Sequence, residues 1–302
     1  MPRLTIQLCT YNRARLLERV LEALFDQTLP DDAYEVVLVD DGSTDDTRAV
    51  IERVRPLAGC AFIVIEQANS GLARGRNAGI AAARGERLCF IDDDVLPTPV
   101  FGAEHLASDE RHGDVIVRGA VINVESFDDL PVPVWTPANY SGNYFWTSNV
   151  SLRRSRLDRA GGRFDDSFAE YGWEDVELGM RLRALGTRAV FNRFAVAFHY
   201  KPRPAGTNVA GMLRQVRAQA RTAVVLRAKH PHWRVELATG TTAPQRALGS
   251  LLHRSGIARV LTPLASAGGR LSPPQLLAAQ VLAADAYYDE LAKAESAAND
   301  VP

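Results

Sequence analysis

Cysteine is scarce in this 302-residue chain: Cys9, Cys60 and Cys89 are the only three, an odd number with no CxxC spacing. That argues against a disulfide framework and against a zinc site. Long apolar runs are missing as well, since none reaches the ~18 residues that a membrane-spanning helix requires. No apolar leader with a small-residue cleavage site precedes the first strand pattern, so the sequence reads as cytoplasmic. A glycine-rich turn after the first apolar run is also lacking. TYNRAR stands at residues 10–15, where a dinucleotide-binding oxidoreductase would carry its fingerprint. The same absence counts against a sugar-phosphate nucleotidyltransferase.

What is present is a globular composition, 46% hydrophobic and 24% charged, sufficient for a sizeable core. Short apolar runs at residues 4–9, 35–40, 61–66 and 87–92 alternate with helical stretches beginning near Arg13, Asp45 and Leu72. Near-continuous Val, Ile and Leu runs of this length suit strands covered on both faces, so the first half predicts an α/β fold with a mostly parallel sheet. In such a sheet the ligand site lies beyond the carboxyl ends of the strands, which singles out residues 10–13, 40–43, 69–71 and 92–94.

Past residue 110 the pattern mixes a strand at 115–122, a Pro-, Gly- and aromatic-rich loop from Phe127 to Trp146, a strand in SNVSLR, a helix in WEDVELGMRLRALG and two short strands. The loop reads as a lid over a bound ligand. From Thr207 only helical patterns remain, and a boundary near Pro204 separates residues 1–204 from a helical extension at 205–302. A net charge of −1 hides an asymmetry, because residues 201–270 carry twelve Lys or Arg against the single acid Glu236. Such a stretch suits anionic lipid head groups or an acidic polymer, and points to peripheral contact at the inner face of a membrane. Its alternative reading is a set of solvated helix faces, with Ala and Leu faces packing on the first domain or on another copy.

The strongest local signal is FIDDDVLP, three successive carboxylates at the end of a core strand, which calls for a cation. Oxygen-rich surroundings suit magnesium or manganese, and either ion bridges a diphosphate well. CTYNRAR offers an aromatic ring for a base and Arg13 for phosphate, VDDGSTDD a carboxylate for base or ribose, and NSGLARGRNAG two arginines at a helix start. Helix capping alone would explain some of the Ser, Asp and Asn residues in these turns.

Taken in order, CTYNR, VDDGSTDDT, NSGLARGRNAG, FIDDDVLP and YGWEDVELGMRL resemble the successive motifs of the family 2 inverting glycosyltransferases, over roughly residues 3–200. The resemblance implies a GT-A fold, a nucleotide-binding half at 1–110 and an acceptor-binding half at 111–204. It also implies a nucleoside-diphosphate-sugar donor, a divalent metal, a glycan or lipid-linked acceptor and inversion in one displacement. Carried onto this sequence, Thr10 and Tyr11 frame the base, Asp41 contacts it, Arg13 lies near phosphate, and Arg76 approaches phosphates or base. Asp92 and Asp94 are the outer acids of the DxD motif near ribose and metal, with Asp93 between them; three acids in a row leave the register open by one. Asp175 is the expected general base and Glu174 an acceptor contact. Ser148 and Asn149 lie near a sugar, Trp146 and Trp173 stack on a pyranose, and His199 joins Asp92 and Asp94 as a metal ligand. The competing reading is a non-catalytic glycosyltransferase-like scaffold that binds nucleotide sugar or glycan, and the retention of both acid clusters argues against it.

Overall fold

The computed structural model describes residues 1–299 except 203, 206, 207 and 267. It comprises two compact units, Met1–Ala169 with Glu174–Pro202, and Glu170–Trp173 with Arg203–Pro302. Glu170–Trp173 thus group with the helical extension rather than with the first domain, where the sequence reading put them. Thr207, from which only helical patterns were expected, lies outside the described residues.

The first unit is built on β1 (Leu4–Thr10), α1 (Ala14–Phe25), β2 (Tyr34–Asp40), α2 (Thr47–Val54), β3 (Ala61–Glu66), α3 (Leu72–Ala82) and β4 (Arg87–Phe90). It continues through β5 (Val95–Pro97), α4 (Phe101–His112), β6 (Ile116–Val124), β7 (Val150–Arg153), α5 (Arg154–Arg159), α6 (Glu174–Ala184) and β8 (Ala189–Tyr200). The strands form one eight-stranded sheet in the order β3-β2-β1-β4-β7-β6-β8-β5. β1 to β4 are mutually parallel, with β1, β2 and β4 buried and β3 half-buried, whereas β7 and β5 run antiparallel to their neighbours.

Burial explains the layering. Leu4, Ile6 and Leu8 of β1 share a core with Leu17, Val20, Leu21 and Leu24 of α1, each fully covered side chain contributing about 1.5–3 kcal/mol. On the opposite side α3 approaches β1 closely, because a Cβ at Gly79 would lie 2.5 Å from the Gln7 amide nitrogen. Where two short strands were expected, β8 is one 12-residue strand, Ala189–Tyr200. Its pairing with β6 shifts register between Gly119 and Ala120, absorbing residues 193–195 as a bulge. The bulge brings the Ala195 carbonyl to 2.4 Å from where a Cβ on Gly119 would be, so only glycine fits there.

The second unit contains α7 (Val209–Lys229), α8 (Trp233–Ala238), α9 (Ala243–Ser255), α10 (Ile257–Ala265) and α11 (Pro273–Asn299). Small residues set its packing. Ala220 and Ala223 of α7 meet Leu291 of α11, Gly249 of α9 lies against the Tyr288 ring, and Ala258 and Ala265 of α10 pack with Ala278, Ala279 and Leu282. Part of its positive charge is neutralised internally: Arg221 pairs with Glu170 and Glu290, while Arg227 and Arg246 share Glu295. Among the described residues no helix is long and apolar enough to cross a membrane.

Candidate functional site

The three aspartates lie where β4 ends and the chain turns into β5, with the Val95 amide donating to the Asp92 carbonyl at 3.1 Å. That tight turn points their side chains to three different sets of partners. Asp92 accepts from Arg76 at 3.1 Å and from the Ser148 hydroxyl at 2.5 Å. Asp93 is buried and accepts from the Thr10 hydroxyl at 2.8 Å. Burial pushes its carboxyl up to about 7 against the pull of Arg13. Asp94 receives Arg13 at 2.9 Å, and its other oxygen stands 3.5 Å from His199 Nε2. The three side chains thus have distinct surroundings: Asp92 is anchored by protein donors, Asp93 is turned inward, and Asp94 faces an imidazole and a half-exposed arginine.

Arg76 ties this cluster to the second pair of acids. It projects from α3 into a site where it is 4% exposed, donating to Glu174 at 2.6 Å, to Thr147 at 2.6 Å and to Asp92. Phe164 lies under the guanidinium, 5.3 Å from ring centre. Burial opposes the charge, but Glu174 and Asp92 more than offset it and hold the arginine firmly protonated. Glu174 opens α6, where the helix dipole favours a carboxylate. Beside it, Asp175 accepts, among the described residues, only its own neighbour's amide, Val176 N–H at 2.7 Å. Burial and the adjacent Glu174 charge push the Asp175 carboxyl up to about 7, and Arg76 draws it back only in part. A carboxylate poised there suits general-base work near neutral pH. The same burial raises the Cys9 thiol to about 12, which removes it as a nucleophile.

His199 closes the other end. Burial lowers its proton affinity and keeps the ring neutral, and its Nδ1 is buried with no hydrogen-bond partner. A neutral imidazole beside a carboxylate is a donor pair that suits manganese or magnesium. No group of three or more His, Cys, Asp or Glu side chains is assembled for a metal among the described residues. Trp146 leans on the His199 ring, with centroids 6.1 Å apart.

Other sequence-predicted residues have different surroundings. Asp41 is engaged in shaping the 67–71 loop: it accepts from Gln67, from the Ser70 amide and hydroxyl, and from the Gly71 amide. Tyr11 is 48% exposed at the rim. The expected sugar contact at Asn149 is turned into the core, where its amide donates to the Ala120 and Ala195 carbonyls and its oxygen meets His105 at 2.9 Å. The β8 bulge is the reason, since it presents a carbonyl that only a buried amide can satisfy. Trp173 belongs to the second unit; its indole donates to the Gln219 carbonyl at 2.8 Å, and its φ of 71° is one of two positive values at non-glycine residues among the described ones. The other is Asn12, which clamps the turn after β2 through the Thr44 amide at 2.7 Å. In the loop from Phe127 to Trp146, Trp135 and Tyr140 pack on Phe191. Sequence reasoning missed Thr147, although three adjacent polar residues at the start of a buried strand were a usable sign.

Asn149→Ala should therefore act on stability. Stranding two buried carbonyls costs about 1–3 kcal/mol each, enough to lower Tm by several degrees while nucleotide affinity is retained. A variant with native Tm and weakened donor binding would reverse that assignment.

Similarity to known proteins agrees with this arrangement. Validoxylamine A glucosyltransferase of Streptomyces hygroscopicus subsp. jinggangensis is 31% identical over 229 residues, covering 64% of this chain and 54% of that protein. The chain thus spans about half the length of that relative. Among solved structures, the mannosyltransferase PcManGT of Pyrobaculum calidifontis, in complex with GDP-Man and Mn2+, matches with a TM-score of 0.55 at 22% identity, covering 100% of this chain and 76% of that one. Staphylococcus aureus TarS 1-349 in complex with UDP matches with a TM-score of 0.56 at 20% identity, covering 100% of this chain and 92% of that one. These likenesses establish the GT-A architecture. The family model described as glycosyl transferase family 2 matches residues 5–162, and the chain belongs to that family.

Proposed function

We propose that this protein transfers a sugar from a nucleoside-diphosphate-sugar onto an acceptor hydroxyl with inversion at the anomeric carbon, in the assembly of a cell-envelope, capsule or exopolysaccharide glycan. The observation that carries the reading is the Arg76 bridge, which brings Asp92 of one acid cluster and Glu174 of the other onto a single buried guanidinium. In this reading Asp175 accepts the proton of the attacking hydroxyl while Glu174, held by Arg76, contacts the acceptor. Thr10, Tyr11 and Asp41 lie toward the nucleoside, and Arg13 swings from Asp94 to the diphosphate. Trp146 and Ser148 lie toward the sugars. Asp94 and His199 would hold a divalent metal, with Asp92 fixing the turn that presents them. Such an ion would offset the charge that builds on the departing diphosphate.

The nucleotides and Mn2+ named for the two structural neighbours support the donor class and the metal. The description of TarS as a poly(ribitol-phosphate) beta-N-acetylglucosaminyltransferase supports an envelope polymer as acceptor. A panel of nucleotide sugars, read by thermal shift and donor hydrolysis with and without manganese, tests the proposal. One nucleotide should raise Tm in the presence of manganese only, by about 2.7 kcal/mol of linkage at a hundredfold excess over its Kd. Asp94→Ala and His199→Ala should abolish that response. If no nucleoside diphosphate binds with any divalent metal, the reading fails.

A further inference from the structure

The second unit carries a surface that glycosyl transfer does not use. α9 and α10 follow one another through Gly256, which adopts φ 67° and closes the first helix as it opens the second. Both turn their small residues inward, Gly249 on α9 and Ala258 and Ala265 on α10. Leu261 packs inward and Leu252 is half-buried, but most of their other large apolar residues face out. Leu248 is 68% exposed, Leu251 67% and Val260 76%, with Ile257, Pro263 and Leu264 continuing the stripe at helical spacing. A folded chain that leaves its largest aliphatic side chains outside while tucking glycine and alanine inside has a face that another apolar phase should cover.

Charge identifies that phase. Residues 243–265 contain Arg246, Arg254 and Arg259 and no acid at all. Arg246 is taken by Glu295, but the Arg254 and Arg259 side chains are exposed and make no ion pair among the described residues. The acids of α11 do not reach these two arginines. Asp285 and Asp289 face His253 and Lys293, Glu290 holds Arg221, and Glu295 holds Arg227 and Arg246. An apolar stripe bordered by free arginines, on two helices too short to span a bilayer, matches a segment lying in the plane of an anionic interface. A second copy of this face would instead bring arginines of like sign together.

We propose that the outward face of α9 and α10 docks this protein on an anionic lipid surface, with Leu248, Leu251, Val260 and Leu264 entering the head-group boundary and Arg254 and Arg259 meeting lipid phosphates. The proposal is independent of the transferase reading, because it concerns side chains with no role in donor or acceptor chemistry. Sedimentation of the full chain with vesicles tests it, using phosphatidylcholine alone against phosphatidylcholine with phosphatidylglycerol. Binding is expected to the anionic vesicles only, and to weaken as salt rises. Arg254→Gln with Arg259→Gln should reduce the partition coefficient roughly 25-fold, about fivefold for each arginine. Leu251→Ser with Val260→Ser should abolish binding at unchanged Tm, since both positions are exposed in the folded unit. The proposal is overturned if the native chain stays in the supernatant with anionic vesicles at low salt. It is equally overturned if the serine variant binds like the native chain, or if light scattering shows a dimer that the serine variant dissociates without any vesicle binding.

Discussion

Asp175→Asn is expected to lower kcat roughly 10²- to 10⁴-fold while leaving nucleotide and manganese binding close to native, the range spanned by loss of a positioned general base. The geometry behind this is specific. Of the two acids that open α6, Glu174 is engaged by Arg76 at 2.6 Å, whereas Asp175 makes no ion pair among the described residues and accepts only the Val176 amide from them. Burial and the Glu174 charge then raise its proton affinity to about 7. The base must be ionised to accept a proton, so kcat/KM of the native protein should climb with pH and level off above a midpoint near 7. Linkage gives a second readout. Since the folded-state value lies above the ordinary carboxylate value of 3.8, the folded protein holds this proton more tightly than the unfolded chain. The resulting stability is fully present below pH 4 and is lost as pH rises toward 7. Asn has no proton to lose, so the Asn variant should match the native Tm in acid and exceed it above pH 7. If transfer by the Asn variant stayed within threefold of native, the base would have to be sought elsewhere. Glu174→Gln is the informative comparison, because it disturbs Arg76 as well.

Much of the fold was legible because its signals are local. Four short apolar runs read as strands, and they form the parallel half of the sheet in the order β3-β2-β1-β4, with the half-buried β3 at its edge. Turn residues at their ends carry the family motifs, so the acids proposed for the site were candidates from sequence alone. What stayed hidden depends on pairing between distant segments. No periodicity in residues 187–200 announces that one bulged strand replaces two, because the bulge exists only opposite Gly119. Asn149 looked like a sugar contact for the same reason: its inward turn is dictated by carbonyls at 120 and 195, invisible until β6, β7 and β8 are laid together. Asp41 offered a free carboxylate in the sequence and proved to be the organiser of a loop some thirty residues away. The order of roles within Asp92, Asp93 and Asp94 could not be read either, since a run of three identical residues contains no register. It took Ser148, Thr10 and His199 to distinguish them.

Arg76→Ala should be the most damaging single substitution for the integrity of the site. A buried ion pair adds little net stability over an apolar replacement, because desolvation consumes most of the Coulombic gain. Removing one partner is a different matter. Without the guanidinium, Glu174 would stay buried with an uncompensated charge, Asp92 would keep only Ser148, and the Thr147 hydroxyl oxygen would lose its donor. Breaking a buried pair in this way costs about 3–5 kcal/mol, which for a domain of this size lowers Tm by roughly 10 °C. Lysine would restore the charge but not the fork, because one ammonium on a flexible stem cannot serve Glu174, Asp92 and Thr147 together. Arg76→Lys should therefore fall between native and alanine in Tm while still losing transfer. The decisive comparison is Arg76→Ala combined with Glu174→Gln. If the cost lies in the stranded carboxylate, the double variant will be more stable than Arg76→Ala alone, a coupling of the kind expected for groups in direct contact. If the two losses simply add, Arg76 and Glu174 are not paired, and the link between the two acid clusters on which the transferase reading rests is broken.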